Sequence, residues 1–219
     1  MDPQDPRLIA AELGVSLFGE VSASLSHELN NVLSVMKENT GLLQDYLELA
    51  AQGRELDQER LAELAGRLAR QVERGRRLVQ RMNRFAHSSD QPSARVELGR
   101  LLELVARLFQ RPAAQEGFSL EVVPPPSPLE ITTRPFVLEN LLWRAMRHAC
   151  QSGDGGQVLR LEALPREGGA EIRLSPWPAG AGREFPGPEE AALLELLEAG
   201  LEITAHRPAL CLRLPGITG

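Results

Sequence analysis

The sequence predicts an α+β protein. A long antiparallel helical hairpin comes first and forms a dimeric four-helix bundle, and a small α/β sandwich follows. Three observations predict this. From about Leu8 to Ala51 there is no proline, and only Gly14, Gly19 and Gly41 interrupt the run. A second apolar stripe, Leu61 to Ala86, follows a short break. Beyond Ser88-Ser89-Asp90-Gln91-Pro92-Ser93, a linker by composition, short helical and alternating patterns succeed one another between proline and glycine breaks.

In the first helix the apolar positions are Leu25, Leu29, Val32, Met36, Leu43 and Leu47. Their steps of three, four and seven keep one stripe on one face. Gly53 is a helix stop, and Asp57 an N-cap for the second helix. That helix carries Leu61, Ala65, Leu68, Val72, Gly75, Val79, Met82 and Ala86. Two helices joined by so short a turn lie antiparallel. A bare hairpin has little core, so its stripes call for two more helices, most simply from a second copy. The alternative is packing against the C-terminal half of the same chain. The domains expected are 1–90 for the hairpin and 91–219 for the α/β part.

In the second half, Val96 to Gln110 reads as an amphipathic helix that stops before Pro112. Phe118 to Val123 alternates like a strand, Pro124-Pro125-Pro126-Ser127-Pro128 is a stiff connection, and Leu129 to Thr132 is a short strand. A helix is expected from Pro135 to about Cys150. Val158 to Leu164 and Ala170 to Leu174 form a β-hairpin around Gly168-Gly169. Pro176 to Pro188 is a loop, Glu189 to Ala199 a helix closed by Gly200, and Leu210 to Leu214 a last strand. Helices alternating with strands in this way describe a layered sandwich.

With 219 residues and a net charge of −6, the chain offers no general attraction to nucleic acid, although arginines cluster between Arg67 and Arg84. Its two cysteines, Cys150 and Cys211, have neither disulfide-framework nor metal-ligand spacing, so the cytoplasm is the expected compartment. The N-terminus lacks the basic and apolar regions of a signal peptide. No stretch approaches ~18 uncharged apolar residues, so no membrane contact is expected.

The chemistry concentrates in Ser26-His27-Glu28-Leu29-Asn30-Asn31. At ~100 degrees per residue, His27 lies on the side opposite the buried stripe, and Asn31 follows one turn later on nearly the same face. An exposed neutral imidazole is a nucleophile toward a phosphoryl donor. Glu28 can hydrogen-bond one ring nitrogen and fix the tautomer. Asn31 can position water or phosphoryl oxygens without adding negative charge. A lone surface histidine is more often merely solvated, and spacing alone does not decide between the two.

The run Ser26-His27-Glu28-Leu29-Asn30-Asn31, continued by Val32-Leu33-Ser34-Val35-Met36, resembles the H-box of two-component sensor histidine kinases. The resemblance covers roughly Leu8 to His87. It implies that His27 is phosphorylated, that Glu28 assists the transfer, and that Asn31 takes part in dephosphorylating the response regulator. It also implies an ATP-binding α/β domain behind the hairpin. Val137 to Ala149 resembles that domain's asparagine-bearing helix, with Asn140 as the first asparagine but Arg144 in place of the second, magnesium-coordinating one. A guanidinium has no lone pair for a cation. After Leu174, the adenine-reading aspartate of the family is missing: Ser175-Pro176-Trp177-Pro178 stands there, and Gly180-Ala181-Gly182 is at most a remnant. Asp154-Gly155-Gly156 reads as a turn. The C-terminal half thus resembles a degenerate histidine-kinase ATPase domain. No cofactor is expected on this chain, and Mg2+ is expected in the partner receiver domain.

The expectation is a phosphorelay protein, most like a bacterial histidine phosphotransferase, that exchanges a phosphoryl group between His27 and a response-regulator aspartate. An active kinase, a response-regulator phosphatase acting through Asn31, and a non-catalytic dimeric scaffold are the alternatives. His87 reads as a C-terminal helix charge, and His148 and His206 have no partner at ligand spacing. The arginines Arg74, Arg76, Arg77, Arg81 and Arg84 read as a solvated face with a possible part in docking an acidic receiver pocket.

Overall fold

The computed structural model describes residues 5–178, 185–204, 206 and 208–216. Gly180-Ala181-Gly182 and the first four residues lie outside them. The chain divides into two compact units: Val21–Arg84, and a second made of residues 1–20 together with Phe85–Gly219. Two helices, α1 (Pro6–Ala51) and α2 (Gln58–His87), run through the boundary between them.

The first unit is the expected antiparallel hairpin. Gly53 takes φ +85° just past α1, a backbone state that costs glycine little. Asp57 Oδ1 accepts from the amides of Glu59 (3.1 Å) and Arg60 (3.2 Å), satisfying two donors at the start of α2. Val21, Leu25 and Val32 of α1 and Leu64 and Leu78 of α2 form its core. A Cβ added to Gly75 would lie 3.5 Å from Val32 Cγ1 and 3.9 Å from Leu29 Cδ1, ordinary contact distances that place this part of α2 against those residues of α1.

The stripes need correction. On α2 the buried seam runs through Leu64 and Leu78, whereas the expected Val72 is 56% exposed, Val79 48% and Met82 41%. On α1, Leu47 is exposed and Asn39 is buried, its amide donating to Val35 O at 2.7 Å. Each helix carries two neighbouring apolar seams, and one chain buries only one of them. On α1 the other seam, Val35, Leu42 and Leu49 at seven-residue steps, remains open.

In the second unit, β1 (Ala94–Glu97) pairs antiparallel with β3 (Glu130–Thr133). The remaining strands are β2 (Ser119–Val123), β4 (Val158–Arg166), β5 (Gly169–Ser175), β6 (Gly200–Thr204) and β7 (Ala209–Pro215). They form one sheet in the order β2-β4-β5-β7-β6, with β2 parallel to β4 and the other neighbours antiparallel. Alternation makes one face of this sheet apolar: Leu159, Leu161, Ile172, Leu174, Leu212 and Leu214 are buried. Its other face carries ion pairs such as Arg160–Glu121 and Arg173–Glu162. The helices α3 (Leu98–Gln115), α4 (Pro135–Ser152) and α5 (Pro188–Leu197) complete the unit.

Three expected boundaries change. Val96 belongs to β1, and α3 starts after Glu97, whose side chain accepts from the Arg100 amide at 3.3 Å. Pro112 does not end α3. It falls in the last turns, where only one helical hydrogen bond is lost and the burial of Ala113 and Phe109 offsets it. Finally, α5 ends at Leu197 with Glu198 in the left-handed region (φ +52°), and Gly200 opens β6 rather than closing the helix.

The leading turns of α1 belong to this second unit. A Cβ on Gly14 would lie 2.8 Å from Phe136 Cε1, so a side chain there would have to push that ring aside. Phe18 stacks on Phe85 at 5.8 Å, and Phe85 meets Phe136 at 5.7 Å. Glu20 accepts from Trp143 Nε1 (3.1 Å) and pairs with Arg147.

Candidate phospho-acceptor site

His27 and Asn31 are both exposed on α1, as their helical phase requires, and Glu28 is half-buried between them. Asn31 Nδ2 lies 3.3 Å from His27 Nδ1, a contact made possible by the four-residue spacing. This differs from the expected arrangement. The ring nitrogen is met by Asn31, one turn along the same face, whereas Glu28 is turned about 100 degrees away. With Nδ1 engaged, Nε2 is the ring nitrogen open to a reaction partner. Such an arrangement can accept and release a phosphoryl group without any group being taken out of water.

The arginines of α2 behave mostly as a solvated face. Arg76 and Arg77 share Glu73, at 2.9 and 3.6 Å, in pairs of the kind that contribute little to stability. His87 Nδ1 sits 2.7 Å from Asp90 Oδ2, so its role is local to the end of α2.

In the second unit, α4 carries the residues that the resemblance singled out. Asn140 is buried, 2% exposed. Arg144 Nε donates to Glu190 Oε1 at 2.6 Å, and its NH2 group pairs with Glu189. Glu190 is itself 3% exposed and uses its second oxygen, at 2.9 Å, to accept from the Gly187 amide that begins α5. One carboxylate therefore caps α5 and holds Arg144. Next along α4, His148 stacks on Trp177 (5.2 Å, 20°) and tilts against Phe185 (5.1 Å). Both aromatics are buried. Asp154-Gly155-Gly156 is a turn, as expected, with Gly156 at φ +85° and its amide donating to Gly117 O at 2.8 Å.

Glu189, Glu190 and Glu20 were not singled out in the sequence. The acidic pair after Pro188 is an ordinary helix start, and nothing local links it to an arginine 45 residues earlier.

No curated protein matches the chain. Among solved structures it is similar to the Acinetobacter baumannii histidine kinase AdeS, at 14% identity and a TM-score of 0.49 over 88% of this chain and 98% of that one. It is also similar to the ATP binding domain of PrrB from Mycobacterium tuberculosis, at 22% identity and a TM-score of 0.45 over 58% of this chain and all of that one. The cytoplasmic segment of histidine kinase QseC aligns at 15% identity and a TM-score of 0.44, over 68% and 91% of the two chains. Residues 19–91 match the His Kinase A (phospho-acceptor) domain. His27, Glu28 and Asn31 all lie within that match, which spans the hairpin.

Proposed function

We propose that this protein is a two-component phosphorelay component that carries a phosphoryl group on His27 and exchanges it with the aspartate of a response-regulator receiver domain, without ATP-dependent autophosphorylation. The observation that carries this reading is the exposed His27 ring, engaged by Asn31 and lying inside the phospho-acceptor match. In the exchange, the imidazole nitrogen attacks phosphorus as the aspartyl O–P bond breaks. The carboxylate leaves with the electron pair, and the reverse step regenerates free His27.

Arg144 supports the ATP-independent half. A guanidinium offers only donors, and this one is already committed to Glu189 and Glu190, so these residues do not fit a magnesium ion. The Mg2+ needed for phosphoryl transfer comes from the receiver in this reading. The exposed apolar residues Val35, Leu42 and Leu49 on α1 and Val72, Val79 and Met82 on α2 support a homodimer joined through the hairpin.

A cytoplasmic protein acting away from membrane and nucleic acid fits the net charge of −6. By length and composition, α1 is apolar enough to cross a membrane, with a mean hydropathy of 1.4 over its best eighteen residues, 28% of them buried. The first turns of α1 pack within the α/β unit and Val21, Leu25 and Val32 within the hairpin, so the apolar residues of this helix have uses without a bilayer.

The test is incubation with labelled ATP alone and then with a phosphorylated receiver. Label on His27 only from the receiver is expected, and label from ATP alone overturns the reading in favour of an autokinase. A phosphatase reading is favoured by the exposure of Asn31 beside the ring. It predicts release of inorganic phosphate from the receiver that depends on Asn31 and survives loss of His27. Light scattering of Val72→Glu/Val79→Glu against the parent chain tests the dimer. A parent that is already monomeric sinks it.

A further inference from the structure

Ser88 lies just past the end of α2, where its hydroxyl is 2.7 Å from Phe85 O and 2.6 Å from Glu139 Oε2 on α4. A serine hydroxyl has one proton, and a carbonyl and an ionised carboxylate are both acceptors only. If Glu139 were ionised, one of these two close contacts would have no proton in it. Both are satisfied together when Glu139 is the neutral acid: its O–H donates to Ser88 Oγ, and Ser88 donates to Phe85 O. The surroundings agree. Glu139 is 3% exposed. Of the charges near α4, Glu20 of α1 pairs with Arg147, and Glu189 and Glu190 of α5 pair with Arg144, while Arg7 of α1 and Arg134 line a pocket beside Ser89 and Phe136. On α3, Glu97 pairs with Arg100 and Glu103 with Arg107. Burial pushes the Glu139 carboxyl up to about 7, against the pull of the Ser88 hydroxyl.

We propose that the Glu139–Ser88 contact is a proton-held fastening that ties the end of α2 to α4 in acid and weakens as the pH rises toward neutrality. It stands independently of the phosphorelay reading. When the fastening opens, Glu139 meets water and returns toward its ordinary value of 4.5. Above that pH the open form sheds a proton that the closed form keeps. Opening is then favoured by up to about tenfold per pH unit, until the closed form also ionises.

The reporters are the amides of Ser88, Ser89 and Asp90, which donate to Phe85 O, Ala86 O and His87 O at 3.2–3.3 Å. Their hydrogen-exchange protection, corrected for intrinsic rate, is expected to fall by about fortyfold between pH 5 and 7 and then level off. Glu139→Gln keeps a donor of the same shape and is expected to be flat. A flat wild type overturns the proposal. So does a Glu139→Gln protein that falls in parallel, which would assign the effect to the His87–Asp90 pair. If Glu139→Gln does not fold, the carboxyl carbon resonance of Glu139 in the wild type decides: a midpoint near 7 supports the proposal, and one at or below 5 overturns it.

Discussion

The hairpin and the α4–α5 region use the same kinds of side chain in opposite ways. On α1, His27 and Asn31 touch each other and otherwise face water. On α4, Arg144, Arg147 and His148 are each occupied from within the unit, by Glu189 and Glu190, by Glu20, and by Trp177 with Phe185. Polar groups held for an outside partner stay solvated and loosely paired. Polar groups that serve the fold are at least half withdrawn from water and held by partners of the same unit, because an unpaired one there is expensive. On this comparison the hairpin keeps a reactive surface, while α4 has turned its charges inward.

Four substitutions can break or sharpen that contrast. The largest effect is expected at His27→Ala, which should abolish acid-labile labelling by a phosphorylated receiver and leave the circular dichroism melt unchanged. Labelling that persists removes the reactive half of the contrast. Next comes Arg144→Ala, which strands Glu190 in the interior and should cost about 3 kcal/mol in urea denaturation. A cost under about 0.5 kcal/mol would mean that the α4 charges are not committed to the fold. Gly14→Val should cost about 2 kcal/mol, because its Cβ would have to displace the Phe136 ring from a 2.8 Å contact. A neutral result would show that α1 can move off that ring. The smallest effect is at Arg76→Ala, whose pair with Glu73 is solvated on both sides. It should change stability by less than about 0.5 kcal/mol.

The hairpin was legible because its signals are local. Gly53 and Asp57 mark the turn by backbone freedom and capping chemistry, and helical phase alone puts His27 and Asn31 on the outer face. The choice of seam was not legible. Leu61, Leu68, Val72 and Val79 obey a heptad as well as Leu64 and Leu78 do, and only the partner helix selects between them. Ala94–Glu97 and Gly200–Thr204 escaped notice as strands because each alternates over only four or five residues and is stabilised by its pairing, β1 with β3 and β6 with β7. Within the α/β unit, the substitution at Arg144 was readable as a lost ligand, but its new partners were not. Ion pairs across 45 residues of chain leave no periodic trace.

The membership of the first turns of α1 has a consequence for biosynthesis. Residues 6–20 are translated before the hairpin, yet Phe136, Trp143 and Arg147, against which they pack, emerge from the ribosome only after all of it. The hairpin is therefore an insertion within the α/β unit, and it can zip up while that unit still lacks most of its chain. A nascent protein stalled before α4 would leave Phe85, buried in the finished fold, without Phe136, a natural target for a chaperone that reads exposed aromatic surface.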